Sequence, residues 1–191
     1  MVQKNYKKYI NKYLKEVKAI LEIVDREEIA SIIKILIKLK NKNGRLFILG
    51  VGGSAANASH AVNDFRKICN IETYTPTDNV AELTAWTNDN GFEYAFIKWL
   101  QGSRFNKNDA LLILSVGGGS NTTSKNLVLA MLYAKKINAK IMGIVSRDGG
   151  KTRELSNACI LIPPIVPERI TPHAEEWQGV LLHLIANALV L

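Results

Sequence analysis

Arg45-Leu46-Phe47-Ile48-Leu49-Gly50-Val51-Gly52-Gly53-Ser54-Ala55-Ala56 reads as three things in succession: a run of large apolar residues, a glycine-rich turn, and the opening of a helix. Consecutive apolar side chains without alternation suit a strand covered on both faces, as in a parallel sheet. The glycines let backbone approach a ligand closely. The helix that follows offers free N–H groups and a positive dipole end to an anion such as phosphate. No Gly-Lys-Ser/Thr follows, so this is not a P-loop, and the dinucleotide fingerprint GxGxxG is not met. Alone, the stretch is equally compatible with a plain tight turn.

The same alternation continues outward from that stretch. Ile71–Thr75, Ala110–Ser115, Lys140–Val145 and Ala158–Ile162 are further β-branched or leucine-rich runs. Most of these runs lead through a glycine or serine turn into a helix-compatible segment. Strands alternating with helices predict an α/β domain with a five-stranded parallel sheet, doubly wound in the flavodoxin-like manner. Upstream, apolar residues recur at helical spacing from about residue 4 to 42, including Tyr9, Tyr13, Val17, Ile20, Ile29, Ile32, Leu36 and Leu39. They predict two N-terminal helices with a break near Asp25. Downstream, Thr171-Pro172 opens one long C-terminal helix to Leu191, proline being favoured in a first turn. The N-terminal helices carry more apolar surface than one layer needs, which points to a homo-oligomer using residues 1–42 in part for assembly.

Composition sets the outer bounds. With 191 residues, 47% of them hydrophobic, the chain suits one domain spanning 1–191. No apolar run reaches the ~18 residues of a membrane span, and Gln3–Lys8 is basic and polar where a secretion signal would be apolar. The expectation is a cytoplasmic protein with no membrane partner. Cys69 and Cys159 lie far apart and are read as reduced. The net charge of +8 is concentrated in the N-terminal third. No nucleic-acid motif or aromatic stacking platform accompanies it, so it reads as a solvated lysine-rich helix face.

A second turn, Ser115-Val116-Gly117-Gly118-Gly119-Ser120-Asn121-Thr122-Thr123, repeats the strand, glycine and helix arrangement. Two such turns on neighbouring strands converge at the carboxyl edge of the sheet, where open α/β proteins bind ligands. His60 and Asp64 stand at i, i+4 on the helix leaving the first turn, and Glu175 and His183 stand eight residues apart on the last helix. Two imidazoles and two carboxylates suit a divalent metal. Spacing alone leaves ordinary surface polar groups as the alternative.

Together these residues resemble the SIS (sugar isomerase) domain family, and within it the sedoheptulose 7-phosphate, or phosphoheptose, isomerases. The likeness rests on Gly50-Val51-Gly52-Gly53-Ser54-Ala55 with His60, on Thr87-Asn88-Asp89-Asn90-Gly91-Phe92, and on Ser115 to Ser120. It continues in Arg147-Asp148-Gly149-Gly150-Lys151 and in Thr171-Pro172 leading to Glu175-Glu176 and His183. The resemblance implies a homotetramer with active sites between subunits, converting sedoheptulose 7-phosphate to a heptose 7-phosphate for bacterial surface polysaccharide such as lipopolysaccharide or capsule. It implies zinc on His60, Asp64, Glu175 and His183, with Asp64 as general base and His183 as its acid-base partner. Sugar-phosphate contacts fall by the same resemblance on Val51, Gly52, Gly53, Ser54, Asn88, Asp89, Ser115, Val116, Gly117, Ser120 and Glu175.

The chain departs from that pattern at several positions. The isomerases usually carry asparagine at Val51, hydroxyl residues at Val116 and Gly117, asparagine at Gly119, glutamate at Asp64 and glutamine at Glu175. Phosphate binding is therefore expected to depend on backbone N–H groups more than on hydroxyls. The two acidic exchanges compensate each other in length and charge, as expected of a working site. Other members of the family suggest rival readings: a non-catalytic scaffold that binds a protein partner, as replication-initiator-associating members do, or an isomerase of another phosphosugar.

Overall fold

In the computed structural model, which describes residues 5–191, the strands stand in the order β2-β1-β3-β4-β5, all parallel. They are β1 (Leu46–Leu49), β2 (Thr73–Tyr74), β3 (Ala110–Leu114), β4 (Lys140–Val145) and β5 (Ala158–Leu161). This is the doubly wound order expected from the sequence, with its direction of winding reversing between β1 and β3. Of the five, β2 is shorter than its sequence run, pairing through only Thr73 and Tyr74.

Alternating side chains on each strand feed two cores. Leu46 and Ile48 of β1, Leu112 and Leu114 of β3, and Met142 and Ile144 of β4 pack with α2 (Arg26–Asn41), α3 (Gly53–Lys67) and α8 (Ile170–Ala188). Phe47 and Leu49 of β1, Leu111 and Ile113 of β3, and Ile141 of β4 face the opposite way. They meet α5 (Phe92–Gly102) and α6 (Lys125–Lys136). At about 25 cal/mol per Å² of apolar surface buried, each fully covered Leu, Ile or Phe contributes ~1.5–3 kcal/mol before chain entropy is counted. That is why both faces of the sheet are apolar and its strands read as unbroken runs.

Local chemistry fixes the helix ends. Asp25 accepts from the Glu27 and Glu28 amides and so caps α2, which explains the break after α1 (Tyr6–Ile23). The C-terminal helix starts at Ile170, and Pro172 falls in its first turn, where no intrahelical N–H bond is lost. Beneath the sheet, the Arg45 guanidinium donates to both carboxylate oxygens of buried Asp109, at 3.1 and 2.7 Å, fastening β1 to the loop before β3.

Two helices remain largely uncovered. On α1, Ile10, Leu14 and Leu21 lie along one stripe and are each more than half exposed. Helix α4 (Val80–Asn90) buries none of its residues, and Val80 is 70% exposed. Both cysteines are free thiols. Among the described residues, no helix is long and apolar enough to cross a membrane.

Candidate active site

The turns after β1 and β3 flank the reversal of the sheet. Between them lies a cavity of about 580 Å³ lined by Val51 and Ser54 from the first turn, and by Ser115, Val116, Gly117 and Ser120 from the second. Arg147 and Asp148, from the loop after β4, close its far side. Six of the predicted sugar-phosphate contacts thus share one space. Gly52, the last residue of the first turn, and Gly53, the first of α3, are exposed and do not line it.

The second turn is tied to helix α7 (Gly150–Leu155) by its carbonyl groups. Gly119 O accepts from the Lys151 amide at 2.9 Å. Gly118 O accepts from both the amide and the hydroxyl of buried Thr152, at 2.9 and 2.7 Å. The Ser146 amide donates to Val116 O at 3.0 Å. Gly118 has φ +70°, and a Cβ there would run into the Gly149 carbonyl, so only glycine allows this contact. Within the turn, the Gly118 amide donates to Ser115 Oγ at 3.1 Å and Ser120 Oγ accepts from the Thr122 and Thr123 amides, so both end serines are held at the cavity wall.

Two helical turns along α3, a second cluster forms. His60 Nε2 lies 3.0 Å from His183 Nε2, and Asp64 Oδ2 lies 3.3 Å from the first and 3.4 Å from the second. A tetrahedron with metal–ligand bonds of 2.0–2.1 Å has edges of about 3.3 Å. The three donor atoms therefore form a triangle of the size that one face of a zinc site requires, and their type, two imidazoles and a carboxylate, fits a borderline divalent ion. Asp64 is 9% exposed. Both imidazoles are more than half exposed, which leaves the outer side of the triangle open. Asp64 Oδ1 points away from the triangle and accepts from Asn63 Nδ2.

Glu175, the fourth predicted ligand, lies elsewhere. Its carboxylate rests on Gly53 at the head of α3, so close that a Cβ on Gly53 would stand 2.6 Å from Oε1. Asn57 holds this part of α8 by donating to the Glu175 carbonyl at 2.8 Å. An anion at a helix N-terminus is favourably placed. The structure thus brings three of the four together and sets Glu175 at the glycine turn.

Comparison with known proteins bears on the fold and the family. Residues 12–146 match the sequence profile of the SIS domain. The chain belongs to the SIS-domain family. A phosphoheptose isomerase of a Nitratiruptor species is 32% identical over 154 residues, covering 78% of this chain and 77% of the relative. One from Helicobacter pylori is 28% identical over 169 residues, covering 86% and 83%. The structure of phosphoheptose isomerase GmhA from Neisseria gonorrhoeae superposes with a TM-score of 0.82 over 97% of this chain and 98% of that one, at 22% identity.

In this SIS domain the remaining predicted contacts are apart from the cavity. Asn88 and Asp89 are exposed at the end of α4, where Asn88 Nδ2 donates to Asp89 Oδ1 at 3.0 Å. Sequence reasoning also missed a buried ionic cluster beside the site. Arg169 donates to both oxygens of Glu16, at 2.7 and 2.8 Å, and His173 Nε2 lies 3.0 Å from Glu16 Oε2. Hydrogen bonds from Arg169 and then His173 hold the Glu16 carboxyl down at about 2. Tyr13 donates to Glu176, and its own hydroxyl is pushed up to about 12, first by burial and then by that carboxylate. The cluster pins α1 to the first turn of α8, two residues before Glu175.

Proposed function

We propose that this chain is a phosphosugar aldose–ketose isomerase acting on sedoheptulose 7-phosphate to give D-glycero-D-manno-heptose 7-phosphate. The observation that carries the reading is the donor triangle of His60, Asp64 and His183, in which His60 and Asp64 stand on the helix that leaves the first glycine turn and His183 meets them from α8. From Ser54 to His60 is six residues, about 9 Å along the helix axis. An extended seven-carbon chain from terminal phosphate to carbonyl spans on the order of 10 Å at ordinary bond lengths. A phosphate held between the two turns therefore leaves the far end of such a sugar at the triangle.

His60, Asp64 and His183 would hold a divalent metal, zinc by donor type. Such an ion would supply Lewis-acid polarisation of the sugar's oxygen groups. Asp64 takes the proton from the carbon beside the carbonyl through Oδ1, the oxygen outside the triangle, and returns it to the adjacent carbon through an enediol. His183 exchanges protons with the sugar oxygens. Glu175 of α8, whose carboxylate rests on the first turn of α3, contacts the sugar chain near its phosphate end, and the Ser54, Ser115 and Ser120 hydroxyls meet the phosphate.

Asn88 and Asp89 join this site from another subunit. The stripe of Ile10, Leu14 and Leu21 and the uncovered helix α4 support a homotetramer with active sites between copies, because a lone chain leaves both faces in water. The test is purified protein with sedoheptulose 7-phosphate, with and without zinc, with aldose formation followed by NMR. Zinc-dependent aldose formation is expected. Absence of turnover together with absence of bound metal by elemental analysis would sink the proposal.

A further inference from the structure

The loop after β4 contributes a residue whose placement calls for a ligand. Arg147 lines the cavity between the two turns, and among the described residues it is the one cationic side chain that does. Its Cδ and Nη1 pass over Gly117, 3.7 and 3.8 Å from where a Cβ on that glycine would stand. A longer side chain at 117 would occupy the arginine's path. Arginine is always charged and normally finds a carboxylate when one is near. Here Asp148 is its neighbour in sequence, yet the Asp148 carboxylate accepts from the Gly150 amide, and Arg147 enters no ion pair among the described residues. The backbone at Arg147 has φ +54°, a left-handed conformation that an arginine adopts at a cost.

A strained, unpaired guanidinium directed over a turn with three glycines and hydroxyls only at its ends has a clear chemical complement. We infer that Arg147 is the charged clamp for the ligand's phosphate, binding its oxygens from the side opposite the Ser115–Ser120 turn. The guanidinium fork matches two phosphate oxygens at once, and the glycine turn supplies N–H donors to the remaining ones. Recognition of the dianion in this chain is then centred on β4's loop, with the serines secondary. Nothing in the clamp reads the sugar, so it selects the phosphoryl group and leaves sugar identity to the α3 and α8 residues. This inference rests on the proposed phosphosugar reading for its ligand, while its test does not need turnover.

The experiment is titration calorimetry of the full chain with inorganic phosphate and with sedoheptulose 7-phosphate, comparing wild type with Arg147→Gly, Arg147→Lys and Ser120→Ala. Glycine is at ease at φ +54°, so Arg147→Gly is expected to melt no lower than wild type. Its affinity for both probes is expected to fall about 10- to 100-fold, the range of a lost charged hydrogen-bond pair. Lysine keeps the charge without the fork and is expected to fall in between. Phosphate affinity unchanged in Arg147→Gly, with loss in Ser120→Ala, would overturn the clamp while leaving the isomerase reading intact. Phosphate binding that depends on Arg147 in a protein with no turnover would do the reverse. No binding of either probe by wild type would overturn both.

Discussion

Replacing Gly53 with alanine puts a methyl group where Glu175 now rests. The new carbon would stand 2.6 Å from Glu175 Oε1, against an ordinary contact of about 3.5 Å. The carboxylate must therefore retreat by about 1 Å. Folding loses little by this, because the group that moves is the end of a flexible side chain. Alanine is also a better helix residue than glycine by ~0.5–1 kcal/mol. For a domain of 191 residues that difference raises Tm by about 2–4 °C per kcal/mol at most. Activity responds differently, since a 1 Å misplacement of a positioning group costs up to about 100-fold, or ~2.7 kcal/mol of transition-state stabilisation. The expected outcome is a Tm equal to or slightly above wild type, full metal content, and kcat/KM on sedoheptulose 7-phosphate lower by about 10- to 100-fold. Calorimetric melts and NMR-followed kinetics on the same preparation separate the two effects. Full activity in Gly53→Ala beside an inactive Glu175→Ala would refute this seat for the carboxylate.

His183→Ala is expected to lose both metal and activity, with an affinity drop beyond the about 10- to 100-fold typical of an outer-shell partner; full metal stoichiometry by elemental analysis would contradict the donor set. Glu16, held at about 2 against an ordinary 4.5, contributes stability that is fully present above pH 4.5 and is lost as pH falls from there through about 2. Glu16→Gln should therefore melt lower than wild type at pH 7 and show a shallower loss between pH 4.5 and 2; parallel calorimetric curves would remove Glu16 from the acid transition. Leu14→Glu, in the middle of the exposed α1 stripe, is expected to dissociate the oligomer in light scattering while leaving the far-UV spectrum unchanged, and a wild-type chain that is already monomeric would exclude that interface.

The fold was legible because each deciding feature is local. Unbroken apolar runs at 46–49, 110–114 and 140–145 mark strands covered on both faces, and Asp25 and Pro172 mark helix starts through chemistry acting over a few residues. His60 and Asp64 were readable for the same reason, being one helical turn apart. The rest depended on contacts that no spacing encodes. Glu175 and His183 share a helix, yet α8 packs along α3 so that one meets its first turn and the other its third, which separates the carboxylate from the imidazoles. Glu16 lies among lysines and looks like part of a solvated face. It is buried because Arg169 and His173, more than 150 residues later, are brought to it by the docking of α8 on α1. Arg147 was visible only as part of a motif, since its place over Gly117 depends on how the loop after β4 meets the second turn.

The hydrogen bonds that sew the second turn to α7 have a consequence for motion. A glycine-rich loop left to itself would sample many conformations and would have to be ordered anew by each ligand. Here the carbonyls of Val116, Gly118 and Gly119 are anchored to Ser146, Lys151 and Thr152, so the turn opens only when the first turn of α7 opens with it. Amide exchange at Lys151 and Thr152 therefore reports on one cooperative unit that includes the cavity wall. A ligand entering the cavity meets a surface whose entropy was spent when the chain folded.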